Sequence, residues 1–184
     1  MLQPRFALSL CRMAHAHGLT TVLDTAAAGT IEQWDRLLPH VDAVLLCVKS
    51  SDPAKYRTIT RSHDERPYRI MISFLEATRR HGVKTWIRFV LMSVAEAEDG
   101  TNTVSDAFAE LATDGEDEVK GVAAIAKRYS NVAGVEVLPY HKFGEYKWHE
   151  MGLRYPLEGM KPPTFATIAR VKEMFEAEGV RVIV

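Results

Sequence analysis

The alternation of β-rich and helical segments most constrains how this chain of 184 residues can fold. Strand-forming composition occurs at residues 19–23, 42–48, 83–92, 132–138 and 180–184. Helical periodicity or helix-start residues separate each of these segments from the next. Strands joined through helices cannot form hairpins, so we expect an α/β fold with a parallel sheet and right-handed crossovers.

Local signals place several helices and describe one strand in more detail. Thr30 and Gln33 fit a capping box, and Asp52-Pro53 fits an N-cap followed by proline at the first helical position. Residues 4–17 carry apolar side chains at helical intervals and predict an opening helix. Residues 42–48 are apolar without alternation, which predicts a strand covered on both faces.

Composition limits the class of protein. With 47% hydrophobic residues, the chain is expected to form one domain over residues 1–184, and a formal net charge of -1 argues against a nucleic-acid partner. The two cysteines exclude a disulfide framework and a cysteine-only metal site built from this chain alone. Without a long apolar run we expect no membrane partner and a cytoplasmic location, or a reducing organelle if a targeting segment lies upstream.

Residues 93–118 differ in character from the rest of the chain. They contain many aspartates and glutamates and no lysine or arginine. This composition predicts an acidic insertion that is solvated, with some helix at residues 107–112.

Polar residues follow several of the predicted strands. The set contains Asp24 and Thr25, Lys49, Arg88, and Tyr140 with His141. The carboxyl ends of parallel strands meet at one edge of a sheet, so these side chains are expected to share a ligand-binding rim. Lysine and arginine there suit a carboxylate or phosphate, whereas aspartate suits an amine, a ribose hydroxyl or a cation.

Each of these residues also has a structural interpretation. Asp24 fits a turn or cap, and Lys49 fits a solvated strand end. Arg88 lies in an apolar strand and needs a partner, for which an ion pair with Asp24 is as good as a ligand. His141 fits a surface histidine, and Cys47 fits an inert buried thiol. The residues alone therefore predict an α/β rim without naming a reaction.

Several motifs resemble one known family over nearly the whole chain. They are LTTVLDT at 19–25, VKTWIRFV at 83–90, VLPYH at 137–141, GEYKW at 144–148, Met151-Gly152 followed by YPLEG at 155–159, and KPP at 161–163. Together they are similar to the radical S-adenosylmethionine (SAM) activating enzymes of glycyl-radical enzymes, most closely those that activate pyruvate formate-lyase.

The resemblance implies a parallel-sheet partial (β/α) barrel of the radical SAM type, here lacking its first strands. A 4Fe–4S cluster and SAM meet at its carboxyl rim, and the implied partner is a glycyl-radical enzyme such as pyruvate formate-lyase. Asp24 and Thr25 would lie near SAM and a cation site, and Lys49, after Val48, would meet the SAM carboxylate. Arg88 and His141 would line the same pocket. The implied SAM-binding residues are thus Asp24, Thr25, Val48, Lys49, Arg88 and His141.

The sequence departs from the family pattern in ways that bear on activity. The C-x3-C-x2-C cluster motif and the GGE-type SAM-amine motif are absent, and both belong upstream of Met1 in the family. Cys47-Val48-Lys49 stands where Asp-x-Lys is usual, which removes a carboxylate from the cation site. With no protein ligand set for the cluster, we expect this chain alone to be inactive.

Three hypotheses remain open at this stage. The first is the carboxy-terminal portion of an activating enzyme that keeps half of the SAM pocket. The second is a non-catalytic half-barrel that binds a glycyl-radical enzyme or forms a homodimer through an open sheet edge. The third is an independent α/β enzyme that uses Lys49, Arg88 and His141 on an anionic substrate.

Overall fold

A computed structural model of the chain describes residues 3–94 and 106–184. Five parallel strands form one sheet in the order β1-β2-β3-β4-β5. The strands are β1 Val22–Thr25, β2 Ala43–Val48, β3 Lys84–Leu91, β4 Val132–Pro139 and β5 Val182–Ile183. Sequential neighbours pair throughout, and the predicted parallel α/β class is confirmed.

Helices connect these strands. They are α1 Pro4–Ala16, α2 Ile31–Leu37, α3 Pro53–Thr60, α4 Arg66–Arg80, α5 Asp106–Ala109, α6 Glu116–Arg128, α7 Glu145–Glu150 and α8 Phe165–Ala177. A short 3-10 turn, Leu38–His40, follows α2. No helix in the described ranges combines the length and apolarity needed to cross a bilayer.

Two of the helix starts follow directly from local sequence. The Thr30 hydroxyl accepts a hydrogen bond from the Gln33 backbone N–H at 3.3 Å, and the Gln33 side chain accepts one from the Thr30 N–H. This confirms the predicted capping box of α2. Asp52 Oδ1 likewise accepts from the Lys55 N–H at 2.7 Å and begins α3.

Among the described residues, helices cover one face of the sheet and leave the other half-buried. Along β2, half-buried Ala43, Leu45 and Cys47 alternate with buried Val44, Leu46 and Val48. The expectation that residues 42–48 form a strand covered on both faces is therefore wrong. The main core joins the buried strand residues to apolar residues of α2, α4, α6 and α8, such as Phe175 against Phe89. We call this the covered face, and the side that carries Leu45 and Cys47 the open face.

A smaller apolar cluster lies at the carboxyl end of the sheet. Met92, Tyr140 and Met160 form it, with Ile59 and Leu157 among the residues packed against them. We call it the rim cluster. It holds the loops that follow β3 and β4 against α3, so the carboxyl rim is a packed structure rather than a set of separate loops.

Two other expectations need adjustment. The opening helix forms, but Phe6, Leu10 and Met13 on it are exposed, while Ala7 and Leu8 pack on the core. Of the acidic insertion predicted at 93–118, residues 95–105 lie outside the described ranges, and Glu116–Glu118 belong to α6.

Candidate functional site

Arg88 is the centre of a charged cluster on the open face. Its Nη1 donates to Asp24 Oδ2 at 2.8 Å, and its Nε donates to Glu136 Oε2 at 2.7 Å. The ion pair of Arg88 with Asp24 considered from the sequence is thus present. Glu136, which the sequence analysis did not select, completes the cluster.

The strand register explains how these three residues meet. Arg88 on β3 lies beside Cys47 on β2 and Glu136 on β4, while Asp24 is on β1. Side chains that are partners across adjacent parallel strands share a face. Since β2 lies between β1 and β3, the Arg88 side chain crosses β2 to reach Asp24. The small Cys47 side chain leaves room for that crossing.

The cluster has two carboxylates for one guanidinium. Burial acts against the charged form of Arg88, but the hydrogen bond and charge of Glu136 outweigh it and raise the pKa of Arg88 above its ordinary value. The Asp24 side chain is 56% exposed, so it has free acceptor capacity. The open face therefore suits a hydroxyl, an amine or another cationic group better than a second anion.

Lys49 stands just beyond the end of β2, on the side of Cys47. It is half-buried, and within residues 3–94 and 106–184 no carboxylate forms an ion pair with it. Its loop is anchored by Glu118 of α6, whose side chain accepts from Ser50 Oγ at 2.9 Å and from the Ser51 N–H at 2.6 Å. Lys49 thus precedes an anchored loop and remains available to an anionic ligand group.

The prediction that the acidic residues of 93–118 are solvated is wrong for Glu118. Its side chain is 6% exposed and holds the loop after β2. A buried carboxylate that accepts two hydrogen bonds has a structural role, so the acidic composition is not uniformly a surface property.

Thr25 and Val48 face away from Arg88. The Thr25 hydroxyl accepts from the Ala27 N–H at 3.0 Å and shapes the loop after β1. Val48 is fully buried on the covered face, so its side chain packs in the core. Any part that these two residues have in ligand binding would come through their position at the strand ends.

His141 and Tyr140 take different positions at the end of β4. His141 is exposed, and its ring lies 4.5 Å from the Phe143 ring. Among the described residues no hydrogen bond joins it to Asp24, Lys49 or Arg88. Tyr140 is buried in the rim cluster, with its hydroxyl 2.8 Å from that of Tyr155. The predicted set is therefore brought together only in part.

Comparison with known proteins now adds to this geometry. No protein-family model matches the chain. The pyruvate formate-lyase-activating enzyme of Streptococcus mutans is 30% identical over 183 residues, which are 96% of this chain and 62% of that protein. That of Clostridium pasteurianum is 31% identical over 88% of this chain and 58% of its own length. The pyruvate formate-lyase 1-activating enzyme of Escherichia coli K12 is 28% identical over 100% of this chain.

The chain is similar in sequence to pyruvate formate-lyase-activating enzymes over most of its length. A solved structure titled as a domain of such an enzyme from Bacteroides vulgatus has the same fold, with a TM-score of 0.70 and 15% identity. It covers 99% of this chain, and the match spans 91% of that domain. The chain spans about three fifths of the length of the first two relatives. The similarity therefore extends over nearly all of this chain but over only part of the relatives.

Two residues of the candidate site were not predicted from the sequence. Glu136 gave the same signal as Arg88, a charged residue between apolar neighbours in a strand, but it was treated only as part of the strand. Glu118 gave no comparable signal, because it lies among many other acidic residues and its burial depends on the packing of α6 against the loop after β2.

Proposed function

We propose that this chain forms the SAM-facing part of an activating enzyme that acts on a glycyl-radical enzyme such as pyruvate formate-lyase. The observation that carries the proposal is the polar cluster of Asp24, Arg88 and Glu136 on the open face, with Lys49 beyond it. The cluster lies in a chain whose homologues are named as pyruvate formate-lyase-activating enzymes. Its charges also suit the parts of SAM.

SAM carries a carboxylate, an ammonium, a sulfonium and a ribose diol. Lys49 would hold the carboxylate, because it is a cation without an ion-pair partner in the described residues. The exposed oxygen of Asp24 can accept from a ribose hydroxyl or the ammonium, and the excess negative charge of the cluster favours the sulfonium. When bound, SAM supplies the 5′-deoxyadenosyl group that this family uses to remove hydrogen from the partner's glycine.

The residues of this chain do not fit a 4Fe–4S cluster. Its two cysteines, Cys11 and Cys47, lie on α1 and on the open face of β2, whereas the family motif supplies three thiolates. In the described residues no group of three or more potential metal ligands gathers either. We therefore propose that the chain alone does not catalyse the radical reaction. We also propose a reducing compartment such as the cytoplasm, in which both thiols remain free.

Calorimetry with SAM tests the proposal. We expect weak binding, with a Kd above about 100 μM, and a further loss of about tenfold for Lys49→Met. Lys84→Met is the matched control, since Lys84 is exposed at the opposite end of the same sheet. Tight binding by the isolated chain would overturn the proposed half-pocket. Equal affinities of the Lys49 and Lys84 variants would remove Lys49 from the site.

A second candidate function is an interaction module that self-associates. In the described sheet β1 pairs only with β2, so its outer edge leaves backbone groups unpaired. Phe6, Leu10 and Met13 form an exposed apolar stripe on α1. Light scattering over a range of concentrations should then show a dimer that Leu10→Glu dissociates. A monomer at every concentration would rule this candidate out.

A further inference from the structure

A separate cavity of about 390 Å³ lies at the carboxyl rim. It is bounded by the end of α3, the residue after β3, and the loops around α5 and α7. Its walls are formed by Thr58, Ile59, Arg61, Met92, Glu110, Leu111, Trp148, Tyr155, Pro156 and Leu157. None of the residues proposed to bind SAM belongs to this wall. The cavity is therefore a second place where a ligand could bind.

The interior of the cavity is mainly apolar. Met92 is 5% exposed and belongs to the rim cluster, which Ile59, Leu111 and Leu157 extend toward the opening. The Trp148 and Tyr155 rings lie with their centroids 6.0 Å apart. A volume of this size with apolar and aromatic walls is typical of a small-molecule pocket.

Arg61 supplies the cationic group of the wall. It follows α3 with a φ of +53°, in the left-handed region. Glycine or asparagine usually ends a helix in this conformation, because a larger side chain is disfavoured there. In the described ranges the Arg61 guanidinium has no ion pair and no side-chain hydrogen bond. The arginine thus occupies an unfavourable conformation and keeps its charge available.

The two tyrosines provide a further donor. The hydroxyls of Tyr140 and Tyr155 lie 2.8 Å apart and share one hydrogen bond, in which only one of the two protons is used. Burial and the contact with Tyr155 raise the pKa of Tyr140, so its hydroxyl keeps its proton at neutral pH. One O–H therefore has no acceptor among the described residues. When Tyr140 is the donor, the free O–H belongs to Tyr155 in the cavity wall and can donate to an acceptor group on a ligand.

We propose that this cavity binds a monocarboxylate with an apolar body. The carboxylate contacts Arg61, and the apolar body packs against Ile59, Met92 and Leu157. Glu110, also in the wall, disfavours a ligand with a second negative charge. Either a free carboxylic acid or the carboxyl terminus of a peptide provides this chemistry. The proposal does not depend on SAM binding or on activation of a partner enzyme.

Isothermal titration of the full chain with 4-phenylbutyrate and 4-phenylbutan-1-ol tests the charge preference. We expect the acid to bind at least about tenfold more tightly than the alcohol, since a hydrogen bond to a charged group is being compared with one to a neutral group. Arg61→Gln should abolish this difference. Arg57→Gln, an exposed position on the same helix outside the cavity wall, should preserve it.

A second variant tests the cavity itself. Thr58 is exposed at the wall, so Thr58→Trp can fill the space without replacing a core residue, and it should weaken binding of both probes. A further titration distinguishes a free carboxylic acid from the carboxyl terminus of a peptide as the ligand. It compares a peptide ending in Leu-Phe with its amidated form. Binding of the free peptide tenfold above 4-phenylbutyrate identifies a chain terminus, and weaker or equal binding identifies a free acid.

Two results would overturn the proposal. One is equal affinity, or no measurable binding at millimolar concentration, for the acid and the alcohol in the parent chain. The other is equal loss of acid binding in Arg61→Gln and Arg57→Gln. Far-ultraviolet circular dichroism of every variant separates a loss of binding from a loss of fold.

Discussion

The covered and open faces of the sheet are built from alternate residues of the same strands. On the covered face Leu46, Ile87 and Phe89 are fully buried under helices. One residue further along, the open face presents Cys47, Arg88 and Val90, all half-buried. Because successive strand residues point to opposite sides, one face stabilises the fold while the other carries the charged cluster.

The largest difference in stability is expected between alanine variants of two adjacent leucines of β2. Leu46→Ala removes a fully buried side chain and should lower the free energy of unfolding by about 3–5 kcal/mol. Leu45→Ala, on the half-buried open face, should cost about 1 kcal/mol. Urea denaturation of both variants measures the difference. Equal losses would show that the open face is packed as tightly as the covered one.

Substitutions in the charged cluster of the open face should have an intermediate effect on the free energy of unfolding. Arg88→Met leaves the Asp24 and Glu136 carboxylates without their shared partner and should lower stability by about 1–2 kcal/mol. Asp24→Asn should cost less than about 1 kcal/mol, because Asp24 is more than half exposed. Thermal unfolding at low and high salt compares the two variants. A larger loss for Asp24→Asn would contradict the central position of Arg88.

The smallest expected effect is on the pH dependence of stability, through the buried hydroxyl of Tyr56 on the covered side. Burial raises the pKa of Tyr56 to about 12, against an unfolded value of about 10. Since the folded chain keeps this proton longer, the stability contribution is complete below pH 10 and is lost as pH rises through 12. Tyr56→Phe should therefore reduce the alkaline loss by about 1 kcal/mol at pH 11.

Urea denaturation of the parent chain and Tyr56→Phe between pH 8 and pH 11 measures that slope. Tyr146→Phe, at an exposed tyrosine of α7, serves as the matched control. An unchanged alkaline slope in Tyr56→Phe would mean that this hydroxyl ionises as readily in the folded chain as in the unfolded one. It would also weaken the contrast between a covered side that excludes charge and an open side that holds it.

Features that depend on local chemistry could be predicted from the sequence. The cap of α2 at Thr30 and that of α3 at Asp52 follow from side chains that bond to nearby backbone N–H groups. The parallel sheet follows from the alternation of strand and helix patterns. Arg88, a charged residue in an apolar strand, was also correctly predicted to need a partner.

Features that depend on packing between distant segments could not be predicted in this way. Helix α1 has apolar residues on more than one side, so periodicity alone did not show that Leu8 rather than Leu10 faces the core. In β2 every residue is apolar, and composition gave no sign that Leu45 and Cys47 lie on an open face. Glu136 gave the same sequence signal as Arg88, but only the strand register showed that the two residues are partners.

Because the Arg88 side chain crosses β2, the size of the residue at position 47 bears on whether Arg88 can reach Asp24. Cys47 is the register partner of Arg88 and has a short side chain, and the arginine connects strands that are not neighbours, β3 to β1, and ties three separate segments of chain together. An aspartate at this position would offer Arg88 a nearer acceptor and free Asp24. The identity of a single small residue thus sets how far the charge of Arg88 extends across the sheet.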